Sequence, residues 1–567
     1  MKKNWKQVFG TIVAVAVLMQ LFACSSTQNT PTATSVPILP TSTLAESKTE
    51  PTPTQVTWPV PLKHSKIANQ TSKYISVDSV GTYNPTIITD EIKISKSTLP
   101  DASNLSIPYW TGLILENKIF VNHVDGRWIG PTDGVQYFYE EQIKFIADNG
   151  FNYARILYSL SFLSNPKDIL EVNEVELEQL DELISWGMKY NVHIQLSFTG
   201  LPGKRGTSVE EENVGSNDEL FKDAKLQDVV NKYLTMLARR YADIPNKNLS
   251  FELLAEPAVP NGDLNLYAKV LTPIVQSMWR VSPNRVLVAN DVWKQVPEQL
   301  AALGVSLSLH NHIYTVDSTR LPIMYQPKWP MEYLPSYFTQ NEGDFLTLKS
   351  DTEFNNGKIS MYVNDGSIRI LVDGKILLLS SKGQTGWVEA SFPKGTTQIQ
   401  ITDAGTYVNF SAIRIEQDGG KRVTIVVHDL YTGSENNKMP TILIKDDGTT
   451  QNIDNPQKLL NADFFTSEYL QKFIDTAKKY HVGFLMTEVG TDTLDLSEEE
   501  YKAYHAEWLK ALKANHIPWA YNCLHNVLAP KSVLWLNQDA GFSNIIQVEG
   551  TPFLENKGIV DFLKSYQ

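Results

Sequence analysis

At 567 residues, with 42% hydrophobic and 20% charged residues, the chain has the composition of a folded protein and more length than one hydrophobic core usually serves. A formal charge of -13 with scattered Lys and Arg excludes a nucleic-acid binder, which needs concentrated cations to engage phosphate. Only Cys24 and Cys523 are available for pairing, so a disulfide framework is excluded as well.

Residues 1–24 have the form of an export leader. Lys2, Lys3 and Lys6 precede an apolar run from Val8 to Phe22 that is short for a membrane span. The run ends in Leu21-Phe22-Ala23-Cys24, which resembles a bacterial lipobox, in which the cysteine is lipidated and becomes the first mature residue. An uncleaved N-terminal anchor is the alternative, and both readings put the rest outside the cytoplasm, tethered to the bacterial cell membrane or surface. Residues 25–57 are rich in Thr, Pro and Ser and poor in apolar side chains, so they cannot build a core and read as an extended tether.

From about Ile107 the pattern becomes amphipathic helix followed by short apolar strand, the signature of parallel α/β architecture. Strands are expected near Trp110–Leu115, Tyr153–Tyr158, Val192–Leu196, Leu249–Leu254, Arg285–Ala289, Ser306–Tyr314, Val482–Thr487 and Ile517–Cys523. Leu177, Leu180, Ile184 and Met188 illustrate the intervening helices, recurring at three- and four-residue steps. Eight such units predict a closed (β/α)8 TIM barrel, of class α/β, built from residues 58–342 and 455–567.

Residues 343–454 interrupt the series with period-two alternation, as in Ile368, Ile370 and Val372 running into the hairpin signal Asp373-Gly374. This predicts a β-sandwich inserted after the sixth barrel strand, either a carbohydrate-binding module or a structural flap. Its Trp387 and Tyr407 are the aromatics that could face a sugar, although packing is the commoner role for strand aromatics.

Two glutamates stand just beyond barrel strands, in Leu254-Ala255-Glu256-Pro257 and Thr487-Glu488-Val489-Gly490. Pro and Gly end each strand and leave the carboxylate at the rim, where barrel active sites form. Here the sequence resembles glycoside hydrolase family 5, the cellulase-containing group of retaining barrel glycosidases. The resemblance makes Glu256 the acid/base and Glu488 the nucleophile. It matches Arg155 to an arginine that hydrogen-bonds the nucleophile, and His312-Ile313-Tyr314 to a His-x-Tyr beside the two carboxyls. His310 shares the parity of His312 and Tyr314 and is a further lining residue. Trp293, Trp329 and Trp535 follow strands and are candidate sugar platforms.

Three positions depart from the family pattern: Ala255 replaces the Asn before the acid/base, Thr199 the third-strand His, and Asn522 the eighth-strand Trp. The expected function is retaining hydrolysis of β-linked polysaccharide or oligosaccharide, of β-glucanase type. The alternative is a cell-surface glycan-binding lipoprotein that has lost turnover; a solute-binding lipoprotein would need a two-lobed fold instead. No P-loop, dinucleotide fingerprint or metal-ligand spacing occurs, so no cofactor, metal or obligate protein partner is expected beyond the glycan and the membrane. Cys523, in an apolar stretch, is expected to be an inert buried thiol.

Overall fold

Every residue of Tyr153–Ser159 and of His193–Thr199 is buried, the pattern of parallel strands covered on both faces. The computed structural model describes residues 71–83, 97–118, 122–124, 127–129, 138–165, 167–202, 217–292, 294–311, 334–335, 346–379, 386–428, 441–448, 450–453, 461–490, 498–522, 534–536, 553–555 and 557–567. Residues 1–24 with Cys24, the Thr/Pro stretch, Trp293, His312, Tyr314, Trp329 and Cys523 lie outside them.

Eight strands close into a barrel: β1 (Thr111–Lys118), β2 (Tyr153–Ser159), β3 (His193–Thr199), β4 (Leu249–Glu252), β5 (Leu287–Asn290), β6 (Ser306–Asn311), β7 (Phe484–Val489) and β8 (Trp519–Tyr521). Each pairs in parallel with its neighbours in chain order, and β8 returns to β1. The expected TIM barrel is therefore present. Helices α1 (Glu140–Asp148), α2 (Glu174–Tyr190), α3 (Ala224–Arg240), α4 (Leu264–Val281), α5 (Glu298–Leu303), α6 (Gln471–Tyr480), α7 (Glu498–Ala514) and α8 (Lys557–Lys564) follow the strands in turn. Their starts are chemically marked: the side chains of Asn173, Asp223 and Asp263 accept the first free backbone N–H groups of α2, α3 and α4. No helix among the described residues is long and apolar enough to cross a membrane.

Strand parity separates two environments. Ala154, Ile156 and Tyr158 of β2 pack outward into the core shared with the helices, whereas Tyr153 and Leu157 join an inner cluster with Trp110, Val288, Leu485 and Ala520. The inner face also carries polar groups, so Arg155, Ser197, Glu252, Asn290, Ser308 and Thr487 are all buried inside the barrel wall. At the lower end Trp110 stacks on His193 with ring centroids 3.7 Å apart.

Between β6 and α6 runs the inserted β-domain, eight strands from Leu346–Phe354 to Thr450–Asn452 in one continuous sheet that also takes in Leu334–Pro335. Two strands are long, Gly357–Val372 and Thr396–Gln417, and their pairing slips register near the middle. One half of the pair is flanked by Gly386–Phe392 and Arg422–His428, the other by Lys375–Leu379 and Leu346–Phe354. Ile359, Met361 and Ile413 from the first half meet Ile370, Ile399 and Ile401 from the second in a single core, so the sheet folds over itself as a sandwich. Asp373 and Gly374 both have positive φ, as their hairpin signal requires. Trp387 is half-buried against the barrel core with the Arg414 guanidinium 4.1 Å over its ring, a packing role and not a free platform.

His193 carries a stability prediction. Its Nδ1 lies 2.9 Å from the Lys247 carbonyl and its Nε2 2.8 Å from Ser250 Oγ, an arrangement satisfied by the neutral ring. Burial pushes its pKa down to about 3, against the partial support of the Lys247 carbonyl. The unfolded chain therefore takes up this proton first, so stability is full above the unfolded pKa near 6.5 and is lost as pH falls toward 3. Denaturant unfolding across pH 7 to 4 should show wild type losing up to about 1.4 kcal/mol per pH unit more than His193→Gln; parallel pH dependences would contradict it.

Candidate active site

The C-terminal rim of β4, β6 and β7 brings together three groups distant in sequence. One oxygen of Glu256, one of Glu488 and a ring nitrogen of His310 all lie within 4.8 Å of one another. His310 is buried, and its Nδ1 stands 3.0 Å from Glu256 Oε1 while its Nε2 bonds Glu488 Oε2. Among the described residues this trio is also the one set able to hold a metal ion.

Local backbone irregularities aim both carboxylates. Leu485 and Thr487 face inward, and simple alternation would turn Glu488 out toward the helices. A register shift between Leu309 and His310 pairs His310 with Glu488 and turns Glu488 inward. Gly490 completes the turn: its φ is 138°, and a Cβ there would come 2.6 Å from the Asn522 carbonyl. Glu256 follows Ala255, whose N–H donates to the Phe198 carbonyl at 2.8 Å. Glu256 has a φ of 46°, a left-handed conformation that a residue ahead of proline adopts only when its surroundings hold it. Asn290 supplies that hold, its Oδ1 accepting the Glu256 N–H at 3.0 Å.

Below the trio lies a buried ionic layer. Arg155 Nη1 bonds Glu488, while its Nε donates to Glu252 Oε2 at 2.8 Å and its Nη2 lies 2.6 Å from the same oxygen. Burial alone would depress the guanidinium, but Glu252 and then Glu488 outweigh it and hold Arg155 above its ordinary pKa. Glu252 also accepts from Ser197, from Asn290 at 3.1 Å, from Ser308 at 2.6 Å and from Thr487 at 3.2 Å. Asp291 seats the His310 backbone, accepting its N–H at 2.9 Å and that of Lys294 at 2.6 Å. Burial pushes the Asp291 carboxyl up to about 6, with His310 pulling the other way.

Of the residues singled out from sequence, Glu256, Glu488, Arg155 and His310 meet here. The sixth strand had been expected to run to Tyr314 with His312 and Tyr314 beside the carboxyls; within the described residues β6 reaches Asn311, and His310 is the ring that touches both glutamates. Thr199 is fully buried at the end of β3, and its hydroxyl has no partner among the described residues. Asn522 is buried beyond β8 with its N–H on the Val489 carbonyl at 2.7 Å. Trp535 sits on the short strand Leu534–Leu536, paired with Phe553–Glu555. Sequence reasoning did not single out Glu252, Asn290 or Asp291; the available signal was a set of Ser, Thr and Asn side chains at inward parity in otherwise apolar strands.

No family model matches the chain. Endoglucanase C of Acetivibrio thermocellus is 25% identical over 165 residues, which cover 29% of this chain and 46% of that protein. Endoglucanase 3 of Fibrobacter succinogenes is 22% identical over 274 residues, covering 44% of this chain and 40% of that one. The chain thus spans less than half the length of these curated relatives. Among solved structures, a glycoside hydrolase matches 81% of the chain at 14% identity and a TM-score of 0.45, and a family 5 xyloglucanase from Paenibacillus pabuli matches 81% at 10% identity and 0.43.

Removing the shared cation tests the buried layer. Arg155→Met should leave Glu252 and Glu488 facing each other without a counter-charge and cost about 3–5 kcal/mol in denaturant unfolding. A loss below about 1 kcal/mol, the scale of an exposed pair, would show that the ion pairs carry little.

Proposed function

We propose that this protein is a retaining glycoside hydrolase of the family 5 type that acts on β-linked glucan outside the cytoplasm, held to the cell by a lipid on Cys24. The approach of Glu256 and Glu488 carries the reading. Retention needs two carboxyls about 5–5.5 Å apart, whereas inversion needs about 6.5–9.5 Å to admit a water. Oxygens of the two groups within 4.8 Å of each other fit the first geometry. Similarity to two endoglucanases supports the same substrate class.

The protonation logic follows from His310. With both ring nitrogens against carboxylates, three groups must share two protons: imidazolium between two carboxylates, or neutral imidazole with one carboxyl protonated. Arg155 favours the charged form of Glu488, so the second arrangement places the proton on Glu256. Glu256 then donates to Nδ1 and Nε2–H donates to Glu488, which is the state that starts a double displacement. A Glu488 oxygen attacks the anomeric carbon, the glycosidic C–O bond breaks, and the Glu256 proton passes to the leaving oxygen. Water then attacks the glycosyl ester, gives a proton to Glu256 and releases Glu488.

Glu488→Gln should abolish turnover of β-glucan and of aryl glycosides alike. Glu256→Gln should lower glucan hydrolysis by roughly 10²–10⁴-fold yet spare formation of the glycosyl-enzyme from an aryl glycoside whose leaving group needs no proton. Equal hydrolysis by wild type and both variants would end the assignment.

Ala255, Thr199 and Asn522 favour a second reading, a barrel that binds glycan without cutting it. Each replaces a sugar-contacting side chain of the resembled family with one that is smaller. Calorimetric titration with cello-oligosaccharides, alongside product analysis, separates the two: binding without any released product supports this second reading and overturns the first.

A further inference from the structure

Glu252 is a fully buried carboxylate one strand layer below the rim, and burying a charge is costly unless it is paired and hydrogen-bonded. Its two oxygens collect side chains from five other strands: Arg155 of β2 and Ser197 of β3 on Oε2, Asn290 of β5, Ser308 of β6 and Thr487 of β7 on Oε1. Three of these partners continue to the rim. Arg155 reaches on to Glu488. Asn290 reaches on to the backbone N–H of Glu256 at 3.0 Å. Thr487 immediately precedes Glu488 in the bulged segment of β7.

We infer that Glu252 is a positioning residue that sets the spacing of Glu256 and Glu488, through Asn290 on one side and Arg155 with Thr487 on the other. The inference rests on the hydrolase reading for its kinetic consequence and on geometry alone for the spacing. Without this shared anchor the left-handed turn at Glu256 and the bulge at Glu488 would be held by separate contacts. With it, one carboxylate ties both, and any displacement of its oxygens moves the two rim groups together. A neutral amide at this position cannot serve, because its nitrogen would meet converging donors instead of accepting from them.

The test compares wild type with Glu252→Gln, Asn290→Ala and their double variant. Glu252→Gln should lower kcat by about 100-fold, the scale of an ångström misplacement of a catalytic group, with KM little changed because no sugar contact is removed. The double variant should lose little more than the worse single variant, since both cut the same tie. In crystal structures of Glu252→Gln, the Glu256 and Glu488 oxygens should no longer approach within the 4.8 Å of the parent arrangement. Unchanged kcat, a loss confined to KM, additive losses, or retained carboxyl geometry would each overturn the inference. Should Glu252→Gln fail to fold, Asn290→Ala with Thr487→Val carries the same non-additivity test. If wild type hydrolyses no glycan, the hydrolase reading fails on its own, while the crystallographic comparison still decides whether Glu252 sets the spacing.

Discussion

Inside this barrel a single guanidinium lies between two carboxylates, and most of what distinguishes the molecule follows from accommodating that charge. Arg155 is fully enclosed, so Glu252 and Glu488 must both be present to keep it paired, and the four hydroxyl and amide donors around Glu252 must stay in register. Those donors occupy inward positions on β3, β5, β6 and β7 where a purely structural barrel would place branched aliphatic residues. The hydrophobic cost of that polar layer is offset by the large outer core between strands and helices, to which every barrel helix contributes, from Leu300 and Ala301 of α5 to Trp508, Leu509, Ala511 and Leu512 of α7.

The rim chemistry sits on this layer. Glu488 faces the site because Arg155 pulls its carboxylate inward at a bulge, and Glu256 faces it because Asn290 holds a strained backbone N–H. His310, seated by Asp291, connects the two carboxylates and makes their protonation states interdependent. The inserted sandwich follows β6 in chain order, and its Trp387 packs half-buried against the barrel core.

Much of this was legible beforehand. The helix-strand alternation predicted all eight staves and the change to period two predicted a separate β-domain, because burial on one face or two leaves a direct periodic trace. Glu256, Glu488 and Arg155 were found because the strand ends that carry them have a short local pattern. That His310 lies against both glutamates was not legible: it shares parity with His312 and Tyr314, and its contact with Glu488 depends on how β6 registers with β7. Glu252 was not legible as part of the site, since one residue at inward parity gives no sign of the five partners that converge on it.

The sequence by itself determined the fold class, the order of the elements and the residue types available at the rim. These rest on composition, period and neighbouring residues, all of which are properties of the chain before it folds. Only the tertiary structure decided that oxygens of Glu256 and Glu488 come within 4.8 Å of each other, that His310 bridges them, and that Glu252 underlies both. Each of those depends on a one-residue register shift or a single left-handed backbone angle, and such choices are fixed by packing across strands that are hundreds of residues apart in the chain.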